Sequence, residues 1–173
     1  MELAAFCYET TLDIIPVGFL NAFPAQGNGL PGFNAGNACW GGVGSTYLGP
    51  GDEPQDNLLP TRCPYLQQDI PICQALGKKI LLSLGGDTSV SPYQLTGASD
   101  GLAFAEWIWG AYGPYNQTWV DLSPTNYRPL DRGLYNTDLS SYYQIDIDGF
   151  DFDIERLPTG KLPAPPGPQC RPN

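Results

Sequence analysis

Three apolar runs punctuate the chain. Leu12-Asp13-Ile14-Ile15-Pro16-Val17-Gly18-Phe19-Leu20-Asn21-Ala22 predicts a buried strand over 13–21. Lys78-Lys79-Ile80-Leu81-Leu82-Ser83-Leu84 predicts a second, closed by Gly85-Gly86, and residues 146–154 predict a third. Short apolar runs without strict alternation suit strands covered on both faces. Helical patterns lie between them. Residues 64–77 predict a short helix ending at Gly77, where a glycine cap is expected. Residues 99–112 place Leu102, Ala105, Ile108 and Trp109 at helical spacing, behind Ser99 or Asp100 as N-cap. Residues 23–63 are rich in Gly, Pro and Asn and read as a long surface loop, and 113–145 read as loop-like and polar. Strands alternating with helices predict an α/β fold with a parallel sheet. A doubly wound sheet and a piece of a (β/α)8 barrel both satisfy this order.

The last 18 residues, 156–173, contain six prolines (Pro158, Pro163, Pro165, Pro166, Pro168 and Pro172). No regular element survives that density, so a disordered tail is expected to follow a domain spanning 1–155.

Composition narrows the function. With 8 basic and 18 acidic residues, the 173-residue chain has a formal net charge of −10. That argues against nucleic acid and against an anionic membrane surface, both of which select Lys and Arg. No apolar run approaches the ~20 residues of a membrane helix. The chain has no histidine, which removes Ser-His-Asp and Cys-His catalysis and every His-ligated metal site. Its 4 Trp, 10 Tyr and 7 Phe can furnish a core or a carbohydrate-binding surface. Five cysteines without a Cys-x-x-Cys pair read as two disulfides and one odd cysteine, implying an oxidising compartment. The Asn116-Gln117-Thr118 sequon agrees with that compartment but carries little weight. The first residues, Met1–Phe6, lack the basic start and apolar core of a secretory leader.

The chemistry concentrates in Ile147-Asp148-Gly149-Phe150-Asp151-Phe152-Asp153-Ile154-Glu155. On a strand, alternate side chains face opposite ways. Asp151, Asp153 and Glu155 therefore share one face, while Phe150, Phe152 and Ile154 point to the other, towards a covering helix. Asp148 is out of phase and reads as structural. Carboxylates stacked on a buried strand are costly, because each desolvated ion loses several kcal/mol and like charges resist joint ionisation. Calcium is the bland alternative, but an EF-hand loop needs its glycine at the sixth position and no bulky apolar residues between ligands. A solvated acidic strand is the other. Catalytic carboxylates fit the pattern better than either.

Asp148-Gly149-Phe150-Asp151-Phe152-Asp153-Ile154-Glu155 matches in full the DGxDxDxE signature of glycoside hydrolase family 18, and Ser83-Leu84-Gly85-Gly86 matches that family's SxGG motif. The segment Leu12–Asn21 resembles the second strand of its class III, plant- and fungal-type chitinases. The resemblance covers roughly residues 5–155. It implies a partial (β/α)8 barrel carrying strands that resemble the second, third and fourth. A full barrel takes ~250 residues, so the chain reads as truncated and its activity alone as doubtful.

The implied reaction is retaining, substrate-assisted hydrolysis of β-1,4-linked N-acetylglucosamine in chitin. By the resemblance, Glu155 is the general acid, Asp153 orients the substrate's 2-acetamido group, and Asp151 shares a proton with Asp153. Phe19 and Asn34 resemble substrate-contacting residues, whereas Ser83 and Gly86 read as packing residues that permit close backbone approach. Trp107, Trp109 and Tyr112 read as core, and Trp40 and Trp119 fit either core or surface. No cofactor or metal is implied. The partner is chitin or its oligosaccharides, and the family's location is extracellular. The cysteine pattern implies Cys7–Cys73 and Cys39–Cys63, with Cys170 unassigned. The segment 131–147 is longer than the family's usual approach to this strand. The family's tyrosine beside the acetamido group and tryptophan on the cleft floor have no counterpart here. The alternative is a non-catalytic, lectin-like chitin-binding fragment, against which the retained Glu155 speaks. An endo-N-acetylglucosaminidase shares the signature.

Overall fold

A computed structural model describes residues 3–27, 29–39, 59, 63–87, 93–131 and 144–155. Its elements are α1 (Ala4–Cys7), β1 (Ile14–Ala22), β2 (Gly32–Phe33), a 3-10 turn (Gly36–Ala38), α2 (Pro64–Ala75), β3 (Lys79–Gly86), α3 (Ala98–Tyr112), α4 (Gln117–Leu122) and β4 (Gly149–Ile154). The strands form one sheet in the order β2-β1-β3-β4. β1, β3 and β4 run parallel, as alternation of strands with helices requires. The fold is α/β, as expected from the sequence. The sheet departs from expectation in one strand: β2 lies inside the segment read as loop and pairs antiparallel with β1. Two residues are too few for periodicity to reveal.

A single apolar cluster joins the layers. Ile15, Ile80, Leu82 and Leu84 of the sheet pack with Leu66, Ile70 and Cys73 of α2 and with Phe104, Ile108, Ala111 and Tyr112 of α3. The face of α3 therefore differs from the one expected. Ile108 is buried, but Leu102 and Trp109 are 62% and 47% exposed and Ala105 is exposed too. Phe104 and Tyr112, four residues to either side of Ile108, supply the inner stripe instead. The N-cap is Gly97 rather than Ser99 or Asp100, and the Asp100 carboxylate instead accepts from the N–H and hydroxyl of Thr96.

The stretch 113–145 holds more structure than a polar loop. Asn116 Oδ1 accepts from the Trp119 N–H and caps α4, so the sequon is also a helix start. Trp119 is half-buried and its indole lies where a Cβ on Gly110 would sit. The glycine in the last turn of α3 is thereby explained by the close approach of α4. Arg128 is buried beyond that helix. Its guanidinium donates to the carbonyls of Gly110, Gly113 and Ile145 and to the carboxylates of Asp131 and Asp146. Asp131 also accepts from the Ile145 N–H, so this hub delivers the chain to the start of β4.

Cys7 bonds Cys73 and Cys39 bonds Cys63, the pairing implied by the resemblance. The first bridge fastens α1 to α2. Cys170, Trp40, most of the 131–147 segment and the tail 156–173 lie outside the described residues. No helix among the described residues is long and apolar enough to cross a membrane.

Candidate active site

The glycine-bounded segment of β4 pairs in parallel register with β3, placing Ser83 opposite Asp151 and Gly85 opposite Asp153. Alternation then sorts the side chains. Phe150 turns to the helix side, where its ring meets Trp109 of α3 at 6.1 Å. Asp151 turns the other way and accepts a hydrogen bond from Ser83 Oγ at 2.7 Å. Asp153 shares the phase of Asp151, and Glu155 follows one residue after the strand ends. On an extended strand, successive members of such a row are ~6.5 Å apart. The row thus lies at the carboxyl end of a parallel sheet, where α/β folds commonly bind ligands. Covering of the opposite face is less complete than expected: Phe152 and Ile154 are 72% and 44% exposed. β4 is the edge strand of the described sheet, and α3 meets it at Phe150.

The motif glycines make room for this row. Gly85 has φ +115°, and a Cβ there would fall 2.1 Å from the Asp153 carbonyl oxygen. Gly86 has φ +86°, and the Phe19 ring lies 3.1–3.4 Å from where its Cβ would be. Both positions need a residue without a side chain. Ser83, weighed from sequence as a packing residue, is buried as that reading requires, and it also holds a carboxylate of the row.

Phe19 and Asn34 stand together at the same end of the sheet. Their backbones exchange two hydrogen bonds, each 2.9 Å. The peptide joining Gly18 to Phe19 is cis. Both side chains are exposed, and Asn34 Oδ1 accepts from the Gly36 N–H. Phe19 reaches the carboxylate strand through Gly86, whose register partner is Ile154.

Asp148 has the structural role expected of it. Its carboxylate accepts from Gln74 Nε2, the Ile80 N–H and Lys79 Nζ, at 2.9–3.0 Å. Burial acts to raise its pKa, but these bonds and the Lys79 charge outweigh burial and hold the carboxyl below its ordinary value. One contributor escaped the sequence reading. The Tyr93 hydroxyl accepts from the Glu155 N–H at 3.0 Å and donates to the Gly86 carbonyl at 3.1 Å. Nothing in the polar stretch around Tyr93 signals this, because the contact spans 62 residues.

No family model matches the chain. Endochitinase A of Aspergillus niger is 44% identical over 155 residues, spanning 89% of this chain and 11% of that protein. Endochitinase A of Emericella nidulans is 41% identical over 156 residues, 89% of this chain and 14% of that protein. The chain therefore spans between a tenth and a seventh of these curated relatives. Among solved structures, the chitinase ICChI from Ipomoea carnea aligns at a TM-score of 0.58 and 26% identity, covering 91% of this chain and 43% of that one.

Proposed function

Since about nine tenths of this chain aligns with curated endochitinases at 41–44% identity, we propose that it derives from the family 18 chitinases and that its carboxylate row hydrolyses β-1,4-linked N-acetylglucosamine chains. The observation that carries the proposal is the row Asp151, Asp153, Glu155 in one phase of β4, with Ser83 holding its inner end. In this reading the sheet is an arc of a (β/α)8 barrel, and the row lines its inner wall.

Glu155, the outermost and exposed member, is the general acid. It gives its proton to the glycosidic oxygen as the C1–O bond breaks. The carbonyl oxygen of the substrate's own 2-acetamido group bonds to C1, giving an oxazolinium ion. Water then attacks C1 while the Glu155 carboxylate takes its proton, so configuration at C1 is retained and the acid is restored. Asp153 accepts the acetamido N–H and balances the positive charge of the ring. Asp151 shares a proton with Asp153. Phe19 and Asn34 border the sugar path at the end of β1. The two disulfides favour an oxidising, extracellular setting.

The test is hydrolysis of a fluorogenic N-acetylglucosamine trimer by the purified chain beside Glu155→Gln. Turnover that disappears in the variant supports the reading. Trimer binding by both proteins without turnover would instead favour the lectin-like alternative.

A further inference from the structure

Glu155 lies where the sheet can no longer hold it. The last register pair of the β3–β4 ladder is Gly86 with Ile154, and Glu155 is one residue beyond. A strand end without ladder partners frays, and an acid mounted there loses its aim. Tyr93 takes the place of the missing rung. Its hydroxyl oxygen accepts the Glu155 N–H at 3.0 Å and lies 3.1 Å from the Gly86 carbonyl and 3.4 Å from that of Asp153. Having one proton, it donates to the nearer, Gly86.

The phenol is itself anchored. Its half-buried ring packs on Phe23 at 5.2 Å, and Phe23 packs on Phe104 of α3 at 4.5 Å. The next residue, Gln94, donates its N–H to Gln26 Oε1 at 3.0 Å. A continuous line of packed rings thus runs from the core helix to the backbone of Glu155.

We propose that Tyr93 is a positioning residue for Glu155, fixing the backbone beneath the acid so that its carboxyl is presented at one place. The kinetic part rests on Glu155 being the general acid. The geometric part stands on the hydrogen bonds alone. Misplacement of a reacting group by ~1 Å costs on the order of 100-fold in rate, so loss of the tether acts on kcat. Substrate affinity, set by other contacts, is spared.

Tyr93→Phe in the full chain removes one oxygen and keeps the ring on Phe23. Two readings are made. In amide hydrogen exchange, the Glu155 N–H is expected to exchange about tenfold faster, with the centres of β3 and β4 unchanged. In trimer hydrolysis, kcat per folded molecule, with the folded fraction of the variant measured by urea denaturation, is expected to fall about tenfold at unchanged KM, a loss that a smaller folded fraction does not explain. Unchanged exchange at Glu155 overturns the proposal. So does faster exchange with unaltered kcat. If the unsubstituted chain turns over no trimer, the hydrolase reading fails by itself, and the exchange result alone decides whether Tyr93 positions Glu155.

Discussion

Ser83 Oγ and Asp151 Oδ2 are joined by a 2.7 Å hydrogen bond across 68 residues of sequence. The two motifs that stand out in the sequence are therefore halves of one contact, with the serine of β3 holding the first carboxylate of β4. A hydroxyl donating to a carboxylate makes one of the stronger side-chain bonds, on the order of 1.5–3 kcal/mol. Ser83→Ala deletes that donor and adds no bulk. Asp151 is then free to turn from the phase it shares with Asp153 on β4. We expect kcat for the trimer to fall about tenfold and folding stability to drop by about 1.5–3 kcal/mol. Steady-state kinetics and urea denaturation check both, and an unchanged kcat would remove Asp151 from the working site.

Gly85 makes a harsher demand. Its φ of +115° lies outside what an L side chain adopts comfortably, and the space for a Cβ is already held by the Asp153 carbonyl oxygen. Backbone, unlike a flexible side-chain tip, cannot swing away. Gly85→Ala is expected to part β3 from β4 at Asp153 and to cost about 3 kcal/mol or more. Gly86→Ala meets only the Phe19 ring at 3.1 Å and is expected to cost less. Comparing the two midpoints in urea decides the order. A milder effect at Gly85 than at Gly86 would contradict the geometry.

The parts that the sequence makes legible are those built on repetition. β1, β3, α2 and α3 announce themselves through runs and periods, and the carboxylate row through strict alternation. Asp148, out of phase with that row, is already marked as a structural residue. The parts it hides are single contacts between distant residues. α3 illustrates the limit: Leu102 and Trp109 are as apolar as Phe104 and Tyr112, so composition admits two stripes, and only the position of the sheet selects one. The Arg128 hub and the Tyr93 tether are invisible for the same reason, since an arginine or a tyrosine in a polar stretch looks like solvent-facing sequence until its partners are known. β2 is missed because two residues have no period, and α4 because its Asn116 cap sits in a stretch dense in Gly, Pro and Asn.

Asp148 gives the site a pH dependence that is independent of catalysis. It ties the entry of β4 to β3 and α2 through Ile80, Lys79 and Gln74. Its folded pKa is lowered, so the unfolded chain binds the proton more readily. The contribution to stability is therefore complete above the unfolded value, about pH 4. It is lost as pH falls through the lowered folded value. Asp148→Asn presents an amide to three donors and keeps no charge, and it is expected to lose about 1–2 kcal/mol at pH 7. Urea denaturation from pH 7 to pH 3 is expected to show the two stability curves converging at the acid end. Lys79 supplies little of this, because its side chain is 65% exposed and an ion pair in water is worth about 0–1 kcal/mol. Lys79→Ala is accordingly expected to leave most of the pH dependence in place. Parallel curves for Asp148→Asn and the unsubstituted chain would show that the carboxylate makes no net contribution, and that the backbone bond from the Asp148 N–H to the Ile80 carbonyl fixes the strand entry alone.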